Sequence, residues 1–467
     1  MRKSPLLNLH RAYESSLGVI LSKWLFRLIL LLTMMAGVCK FSMLPIKLMS
    51  VECMVVLGAY VTLLLLTHHV YRATDIGMAS VTELVMSQML SNLISIGVVY
   101  VGVALYVHRM FNILPLIIVG LVQMVIGVVW SLVTNSYYYK RRRKPRTVII
   151  YKYKSQLDLL YESPNFHEKY EVCKLIENPA EDFDALRKEV EGCEVLFSVG
   201  SHAEITNGLA KLCVEMGIIG YFMPRLGHIV MTGAEYMSRF SLPVMRVHRA
   251  GGHSEYRFFK RAFDMFAASV GIVVASPIML ATAIAIWAED RGPVFYRQVR
   301  LTKNGREFKI LKFRSMTVNA EQDGVARLAG QNDSRITKVG KFIRSCRIDE
   351  LPQLFNILLG DMSIVGPRPE RPEIAQQYQE TLPEFALRLQ VKAGLTGLAQ
   401  VYGRYNTEPY YKLQMDLMYI NDMSFLKDLQ LILATIKILF VKDSTQGIAQ
   451  GQETALADKT NGPAKSA

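Results

Sequence analysis

An acidic pair, Asp349-Glu350, lies in a run of the sequence where cations and a proline surround it. Pro352 fits the first turn of a helix, because its missing backbone donor costs nothing there. The pair would then lie at a helix N-terminus, where the macrodipole favours negative charge on a carboxylate or on an incoming phosphate. Arg344 precedes the pair and Arg368 follows it. The pattern suits an anionic nucleophile attacking a pyrophosphate, which needs cations and a metal to relieve repulsion.

These residues also fit a purely structural role, in which Asp349 caps the helix and Arg344 pairs with Glu350. Upstream, Lys312 and Arg314 alternate with apolar residues as on a strand, which would place both cations on one face. A solvated strand face is the alternative for these two. Physical chemistry alone leaves both choices open.

The composition points to lipid and to phosphorylated ligands. Hydrophobic residues make up 51% of the 467 residues, and the formal net charge is +14. A basic protein on anionic lipid has this pattern, whereas a nucleic-acid binder would not need long apolar runs. We therefore expect a lipid bilayer and no nucleic acid among the partners, although the charge excess also fits a topology signal alone. The six cysteines form no CxxC pair, which predicts neither a zinc site nor disulfides.

Four apolar stretches in the first third predict a four-helix transmembrane region over residues 1–139, because a spanning helix needs about 20 apolar residues. Basic residues flank this region on both sides. The positive-inside rule then places both ends in the cytoplasm. The stretches are Leu28–Leu44, Val51–Thr67, Val85–Val107 and Phe111–Thr134.

Residues 146–250 alternate predicted strands and helices, which indicates a small parallel βαβ domain. After the first strand comes the run from Lys152 to Ser155, which contains no glycine. A backbone without glycines there cannot cradle a pyrophosphate, so we interpret the domain as degenerate Rossmann-like, with a regulatory or structural role. The predicted elements are strands Thr147–Tyr151, Glu194–Val199 and Ile218–Phe222 and helices Ala180–Val190 and Ala203–Met216.

A fifth apolar run, Met265–Ala288, has basic flanks on both sides, and both flanks therefore favour the cytoplasm. Pro277 near its middle would kink a helix, and the hydroxyl of Ser276 can satisfy a carbonyl that the proline leaves free. A re-entrant membrane helix with a break at Ser276-Pro277 explains these features. The alternative is an ordinary kinked spanning helix.

The last domain is expected over residues 256–442, with a disordered tail over 443–467. Leu426–Val441 has an apolar face flanked by lysines, which fits either the membrane interface or packing in a core.

Five motifs in order carry a resemblance to a known family: the basic Ser-Pro helix, KFRSM, DELPQLFN, GDMSIVGPRPE and KAGLTGLAQVYGR. From Tyr256 to Lys442 the chain resembles the bacterial sugar transferase family, the monotopic phosphoglycosyl transferases. Its architecture resembles the long-form polyprenyl-phosphate hexose-1-phosphate transferases, with four N-terminal spans. The resemblance implies a membrane protein with a four-helix transmembrane region, a small α/β Rossmann-like domain and a C-terminal α/β catalytic domain that carries a re-entrant helix.

The resemblance also implies transfer of a hexose-1-phosphate from a UDP-sugar to undecaprenyl phosphate, with release of UMP, at the start of exopolysaccharide, capsule or O-antigen synthesis. Asp349 would be nucleophile and Mg²⁺ ligand, and Glu350 would assist. Phosphate contacts are expected from Lys312, Arg314, Arg344 and Arg368, and Asp416, which matches an acidic family position, is a further candidate for substrate binding. The implied location is the bacterial inner (cytoplasmic) membrane, with the catalytic domain on the cytoplasmic face. A homodimer and polysaccharide-assembly proteins are among the implied partners.

Departures from the family pattern leave the sugar open. Lys392-Ala393-Gly394 stands where Lys-Pro-Gly is usual, and Thr302 replaces a glycine. Glucose and galactose are the favoured sugars, with N-acetylated sugars as the alternative. Two other classes compete with an enzyme: a non-catalytic membrane scaffold for polysaccharide assembly, and a nucleotide sensor built on the βαβ domain.

Overall fold

The structure is a computed structural model, and the chain divides into two compact units, Met1–Met223 and Pro224–Ala467. Each unit is described by itself. The structure describes residues 17–41, 50–76, 81–141, 144–161, 166–179, 181–239, 242–247, 254–318, 335–403 and 408–439. The predicted tail over 443–467 lies outside these residues.

Four long helices open the first unit, and each is long and apolar enough to cross a membrane. They are α1 (Leu17–Phe41), α2 (Val51–Val70), α3 (Val81–Val107) and α4 (Leu114–Arg141). The four predicted apolar helices are thus present, and they suggest a membrane protein. Helix α1 begins earlier than the predicted Leu28, and its added first turns accommodate the charge of Arg27. Arg27 donates to Thr74 Oγ1 at 3.4 Å and lies over the Trp24 ring.

Polar side chains join these helices in their interior. Gln123 on α4 donates to the Leu30 carbonyl at 3.0 Å and to the Tyr60 hydroxyl at 2.9 Å. The hydroxyls of Thr67 and Ser91 lie at hydrogen-bonding distance between α2 and α3. Interhelical hydrogen bonds of this kind hold helices together where lipid removes the hydrophobic driving force.

A four-stranded parallel sheet in the order β2-β1-β3-β4 follows in the same unit. Its predicted strands are present, but β2 was missed because it is an edge strand without a buried residue and lacks a clear hydrophobic pattern. The elements are β1 (Arg146–Tyr151), α5 (Lys154–Tyr161), α6 (Phe166–Lys169), β2 (Glu171–Glu177), α7 (Phe183–Val190), β3 (Val195–Val199), α8 (Ala203–Met216) and β4 (Ile219–Phe222).

The second unit begins earlier than the sequence predicts. The predicted βαβ domain extended to residue 250, but helix α9 (Leu226–Thr232) belongs to the second unit. Its Ile229 is 3% exposed and packs in a cluster with Leu413 and Leu417. Burial of this apolar side chain in the second core moves the boundary to Met223 and corrects the predicted domain limit. A hairpin of β5 (Glu235–Arg239) and β6 (Leu242–Arg246) follows.

Helix α10 (Ser254–Asp290) is a single helix of 37 residues with Pro277 inside it. The proline removes the amide that would bond the Val273 carbonyl, four residues earlier. Ser276 Oγ donates to that same carbonyl at 2.7 Å. The predicted serine compensation is therefore present. One face of α10 packs into the hydrophobic clusters of the second unit, to which the helix belongs, through residues such as Ala268 and Met279.

The remaining elements form two short strand pairs surrounded by helices. Strands β7 and β8 are antiparallel, and β9 and β10 are parallel. The elements are β7 (Phe295–Leu301), β8 (Glu307–Phe313), α11 (Lys338–Ser345), α12 (Gln353–Leu359), β9 (Met362–Val365), α13 (Pro372–Thr381), β10 (Ala393–Thr396), α14 (Leu398–Tyr402), α15 (Pro409–Asn421) and α16 (Phe425–Leu439). Helix α16 buries Leu431 in the core and exposes Phe425 and Leu426, so it has one packed and one open apolar face.

Candidate active site

The acidic pair lies on a short 3-10 turn, Ile348–Glu350, between α11 and α12. Pro352 directly precedes α12 with helical dihedrals, in agreement with the predicted start of a helix. Arg347, which opens the turn, has φ = 57°, a left-handed conformation that is rare outside glycine. Strained backbone of this kind clusters at functional sites. The turn presents two neighbouring carboxylates away from regular structure.

Three cations engage Glu350. Arg368 Nη2 donates to Glu350 Oε1 at 3.0 Å, Lys312 Nζ lies 3.4 Å from the same oxygen, and Arg347 Nη1 lies 3.9 Å from it. The Glu350 side chain is 13% exposed. Burial raises the pKa of Glu350, but the charges of Arg368, Lys312 and Arg347 outweigh burial and hold its pKa well below the usual range. Glu350 is therefore an anion at any pH near neutrality.

Asp349 has a different environment. Within the described ranges of the chain, no hydrogen bond or ion pair engages its carboxylate, so the capping role considered above has no hydrogen bond to support it. Burial and the negative charge of Glu350 raise the pKa of Asp349, while Lys312, Arg344 and Arg347 act in the opposite direction. Two adjacent carboxyls whose pKa values are pushed apart are typical of a division of roles at an active site.

Close backbone contacts fix the loop that carries Arg368. Gly366 N–H donates to the Thr396 carbonyl at 2.8 Å, and Gly394 N–H donates to the Pro367 carbonyl at 2.9 Å. A Cβ atom on Gly394 would lie 2.1 Å from the Gly366 nitrogen, so only glycine fits. The two motifs GDMSIVGPRPE and KAGLTGLAQVYGR therefore meet at this point, and their contact sets the position of Arg368.

A cleft opens beside the acidic pair. Lys312, Glu350 and Arg368 line it together with three residues that the sequence analysis did not select: Arg300, Gln353 and Gln400. Burial lowers the pKa of Arg300 to about 10, although Glu370 nearby raises it. Gln298 and Arg300 share one face of β7, and this alternation of polar residues within a strand is the signal that could have identified Arg300.

Arg314 is not brought to the acidic pair. It forms a two-point ion pair with Asp290 at the end of α10, with Nη1 2.7 Å from Oδ2. The prediction placed Lys312 and Arg314 on one strand face, but β8 ends at Phe313 and the alternation stops there. Arg344 contributes charge to the site, since it lowers the pKa of Asp349, but the ion pair considered between Arg344 and Glu350 is absent from the described residues. Arg347, and not Arg344, is the arginine that pairs with Glu350 from this segment.

Asp416 lies behind the cleft and is 2% exposed. It forms an ion pair with Arg388 at 2.7 Å, and Arg388 donates to the Arg368 carbonyl at 3.0 Å. Burial raises the pKa of Asp416 to about 6 against the attraction of Arg388. Asp416 thus supports the loop of Arg368 through Arg388, and the substrate-binding role expected from its family position stays a prediction.

Comparisons with known proteins identify relatives of the region that contains this site. The family described as bacterial sugar transferase matches residues 255–442. A UDP-N-acetylgalactosamine-undecaprenyl-phosphate N-acetylgalactosaminephosphotransferase of Aeromonas hydrophila is 44% identical over 187 residues, 39% of this chain and 44% of that protein. A UDP-glucose:undecaprenyl-phosphate glucose-1-phosphate transferase of Klebsiella pneumoniae is 44% identical over 191 residues, 40% of this chain and 41% of that protein.

The match thus spans less than half the length of these two relatives. A protein of Caulobacter vibrioides with the same name as the Klebsiella pneumoniae relative is 41% identical over 190 residues, and 71% of its length is covered. The residues that match the family, 255–442, contain the acidic pair and its cleft. The chain belongs to the bacterial sugar transferase family.

Proposed function

We propose that the chain transfers a sugar-1-phosphate from a UDP-sugar to undecaprenyl phosphate and releases UMP, as the first step in building a surface polysaccharide. The observation that carries the proposal is the pairing of an unengaged Asp349 carboxylate with a Glu350 held by Lys312 and Arg368. The activities for which the relatives are named supply the donor and acceptor classes.

The proposed chemistry has two steps. An Asp349 carboxylate oxygen attacks the phosphorus that carries the sugar, the bond from that phosphorus to the bridging oxygen breaks, and UMP leaves with the bond electrons. An oxygen of undecaprenyl phosphate then attacks the same phosphorus and returns Asp349 to its free carboxylate. An acyl phosphate is reactive enough to pass its group onward. Arg368 and Lys312 lie where they can stabilise phosphate charge, and Glu350 keeps both in place.

Mg²⁺ is the proposed cofactor, and the donor set fits it. The described residues contain no group of three or more His, Cys, Asp or Glu side chains arranged as metal ligands. Mg²⁺ is commonly held by one or two carboxylates together with substrate phosphates and waters. The Asp349 carboxylate, which has no partner in the described chain, matches that requirement. When bound, the ion would neutralise charge on the diphosphate.

A donor panel tests the function. Membranes containing the full chain should release UMP from one UDP-sugar when undecaprenyl phosphate and Mg²⁺ are present, and label from that sugar should enter the lipid fraction. The panel contains UDP-glucose, UDP-galactose and UDP-N-acetylgalactosamine, with UDP-glucose and UDP-galactose expected to be favoured. Membranes without the protein are the control. No UMP release from any donor would rule the proposal out and would favour a scaffold.

For the membrane arrangement, we infer that α10 is re-entrant, with both ends on the cytoplasmic face. Lys260 near its start pairs with Asp428 at 2.6 Å, and Asp290 at its end pairs with Arg314. From Lys260 to Asp290 the helix rises about 45 Å, more than the hydrocarbon thickness of about 30 Å. Asp428 and Arg314 belong to one compact unit, which supports a helix that does not carry its ends to opposite sides.

Cysteine labelling tests this topology. In a cysteine-free background, Arg257→Cys and Arg297→Cys should both react only with a reagent that enters the cytoplasm. Adding Pro277→Ala restores the amide donor for the Val273 carbonyl, so the helix should straighten and spanning should become more favourable. Periplasmic labelling at Arg297→Cys in the protein with Pro277 intact would contradict the re-entrant arrangement.

A further inference from the structure

Four cations gather at the end of α12 that is opposite to the acidic pair. We call Arg261, Lys303, Arg306 and Lys392 the basic cluster. Helix α12 ends at Gly360, and a Cβ there would lie 3.3 Å from Arg261 Nη2 and 3.7 Å from Lys392 Nζ. The seven residues of α12 separate this end from the acidic pair by about 10 Å. None of the four lines the cleft described above.

Contacts within the second unit account for only two of these cations. Arg261 donates to the carbonyls of Ile357 and Leu358 at 2.6 and 2.9 Å, so it caps α12. Arg306 pairs with Asp361 at 2.7 Å. Lys392 and Lys303 form no ion pair or side-chain hydrogen bond with the residues that the structure describes.

The carboxylate of Asp264 attracts Lys392 but forms no ion pair with it among the residues that the structure describes. Asp264 accepts from Ser363 Oγ at 2.7 Å and from the Ile364 amide at 3.1 Å. Burial and the charge of Arg261 lower the pKa of Lys392, and together with Arg306 and Lys303 they outweigh the attraction of Asp264. A partly buried ammonium among other cations is unfavourable unless an anion comes to it.

Apolar side chains beside the basic cluster indicate where that anion comes from. Phe258 and Met265 lie three residues before and four residues after Arg261, so all three share one face of α10. Phe258 is 71% exposed, Met265 is 45% exposed, and Leu359 at the end of α12 is 79% exposed. Exposed apolar side chains around cations match a lipid with a phosphate headgroup, and α10 is apolar enough to enter a membrane.

We propose that the basic cluster is a binding site for a lipid phosphate, with Lys392 and Lys303 as the ligands of the headgroup and Phe258, Met265 and Leu359 beside the chains. Two sources share this chemistry: a bulk anionic phospholipid, and the polyprenyl phosphate acceptor. The second source rests on the proposed function, whereas the first does not.

Native mass spectrometry of the full-length protein in detergent tests the site. The protein is titrated separately with dioleoyl phosphatidylglycerol, dioleoyl phosphatidylcholine and undecaprenyl phosphate. Lys392→Met and Lys303→Met remove the charge and keep the apolar stem, and each should weaken binding of at least one anionic lipid about fivefold. Lys309→Met is the matched control, because this exposed lysine on β8 does not belong to the basic cluster. Lys392→Arg should bind as the unaltered protein does.

The lipid that loses affinity identifies the source. A loss for undecaprenyl phosphate alone assigns the site to the acceptor, a loss for phosphatidylglycerol alone assigns it to bulk lipid, and a loss for both assigns it to lipid phosphate in general. Binding needs no turnover, so an error in the proposed reaction would leave this result unchanged. If Lys392→Met unfolds, Lys303→Met and Lys392→Arg decide. Equal binding of both anionic lipids by Lys303→Met, Lys392→Met and Lys309→Met overturns the proposal.

Discussion

Protein carrying Asp349→Asn should lose sugar-phosphate transfer by about three or more orders of magnitude while it stays folded. The amide keeps the size of the side chain and removes the charge that attacks phosphorus. A capping role alone would cost only about 1 kcal/mol of stability and would leave turnover largely intact. Thermal unfolding and UMP release, measured on the same preparation, separate the two roles.

A covalent adduct gives the second readout of the same change. The unaltered protein, incubated with UDP-sugar and Mg²⁺ but without polyprenyl phosphate, should add one sugar-phosphate mass to the peptide that contains Asp349. It should release UMP in roughly equal amount, and Asp349→Asn should do neither. An unmodified peptide, with turnover only when both substrates are present, would mean direct displacement and a metal-ligand or general-base role for Asp349.

Glu350→Gln is the contrasting variant. It should retain more activity than Asp349→Asn, because its carboxylate assists and does not attack. The charge of Glu350 helps to raise the pKa of Asp349, so its removal should shift the acid limb of the pH–rate profile to lower pH. An unshifted acid limb would show that a different group controls it.

Asp416→Asn should destabilise the protein by about 3–5 kcal/mol and also reduce transfer, because it leaves the buried Arg388 without its closest carboxylate. Arg388 holds the Arg368 carbonyl, so the loss should extend to the phosphate contact. Chemical denaturation gives the stability change, and UMP release gives the activity.

The double variant Asp416→Leu with Arg388→Met separates the two effects. Replacing a buried ion pair with apolar side chains of similar volume is often neutral for stability. The double variant should therefore regain most of the stability but remain weak in transfer, with a raised KM for the donor. Full recovery of both stability and transfer would show that the pair has no positioning role for Arg368.

The sequence predicted those parts of the fold that repeat a local pattern. The long apolar helices, the buried central strand Arg146–Tyr151 and the helix after Pro352 follow from hydrophobic periodicity and from the chemistry of proline. The edge strand Glu171–Glu177 has no buried face and gave no such pattern. The domain limit was missed for another reason: the core that buries Ile229 is completed by residues nearly 200 positions away.

Sequence motifs predicted some residues of the site, whereas tertiary contacts decide the positions of others. The acidic pair and its partners Lys312 and Arg368 were found because their charges cluster in the sequence motifs. The exclusion of Arg314 depends on where β8 ends, and the role of Asp416 depends on Arg388, a residue to which no motif pointed. Both are tertiary facts that spacing along the chain does not contain.

Before any substrate binds, the negative charge of the Glu350 carboxylate already offsets positive charge on Arg368 and Lys312. A simple anion such as inorganic phosphate gains little in this cleft, because it meets charge that is already balanced. When a diphosphate binds together with a divalent cation, the positive charge of the cation offsets the repulsion between the phosphates and the Glu350 carboxylate. For the proposed reaction, the resting ion pair would therefore favour a diphosphate that carries Mg²⁺ over small anions such as inorganic phosphate.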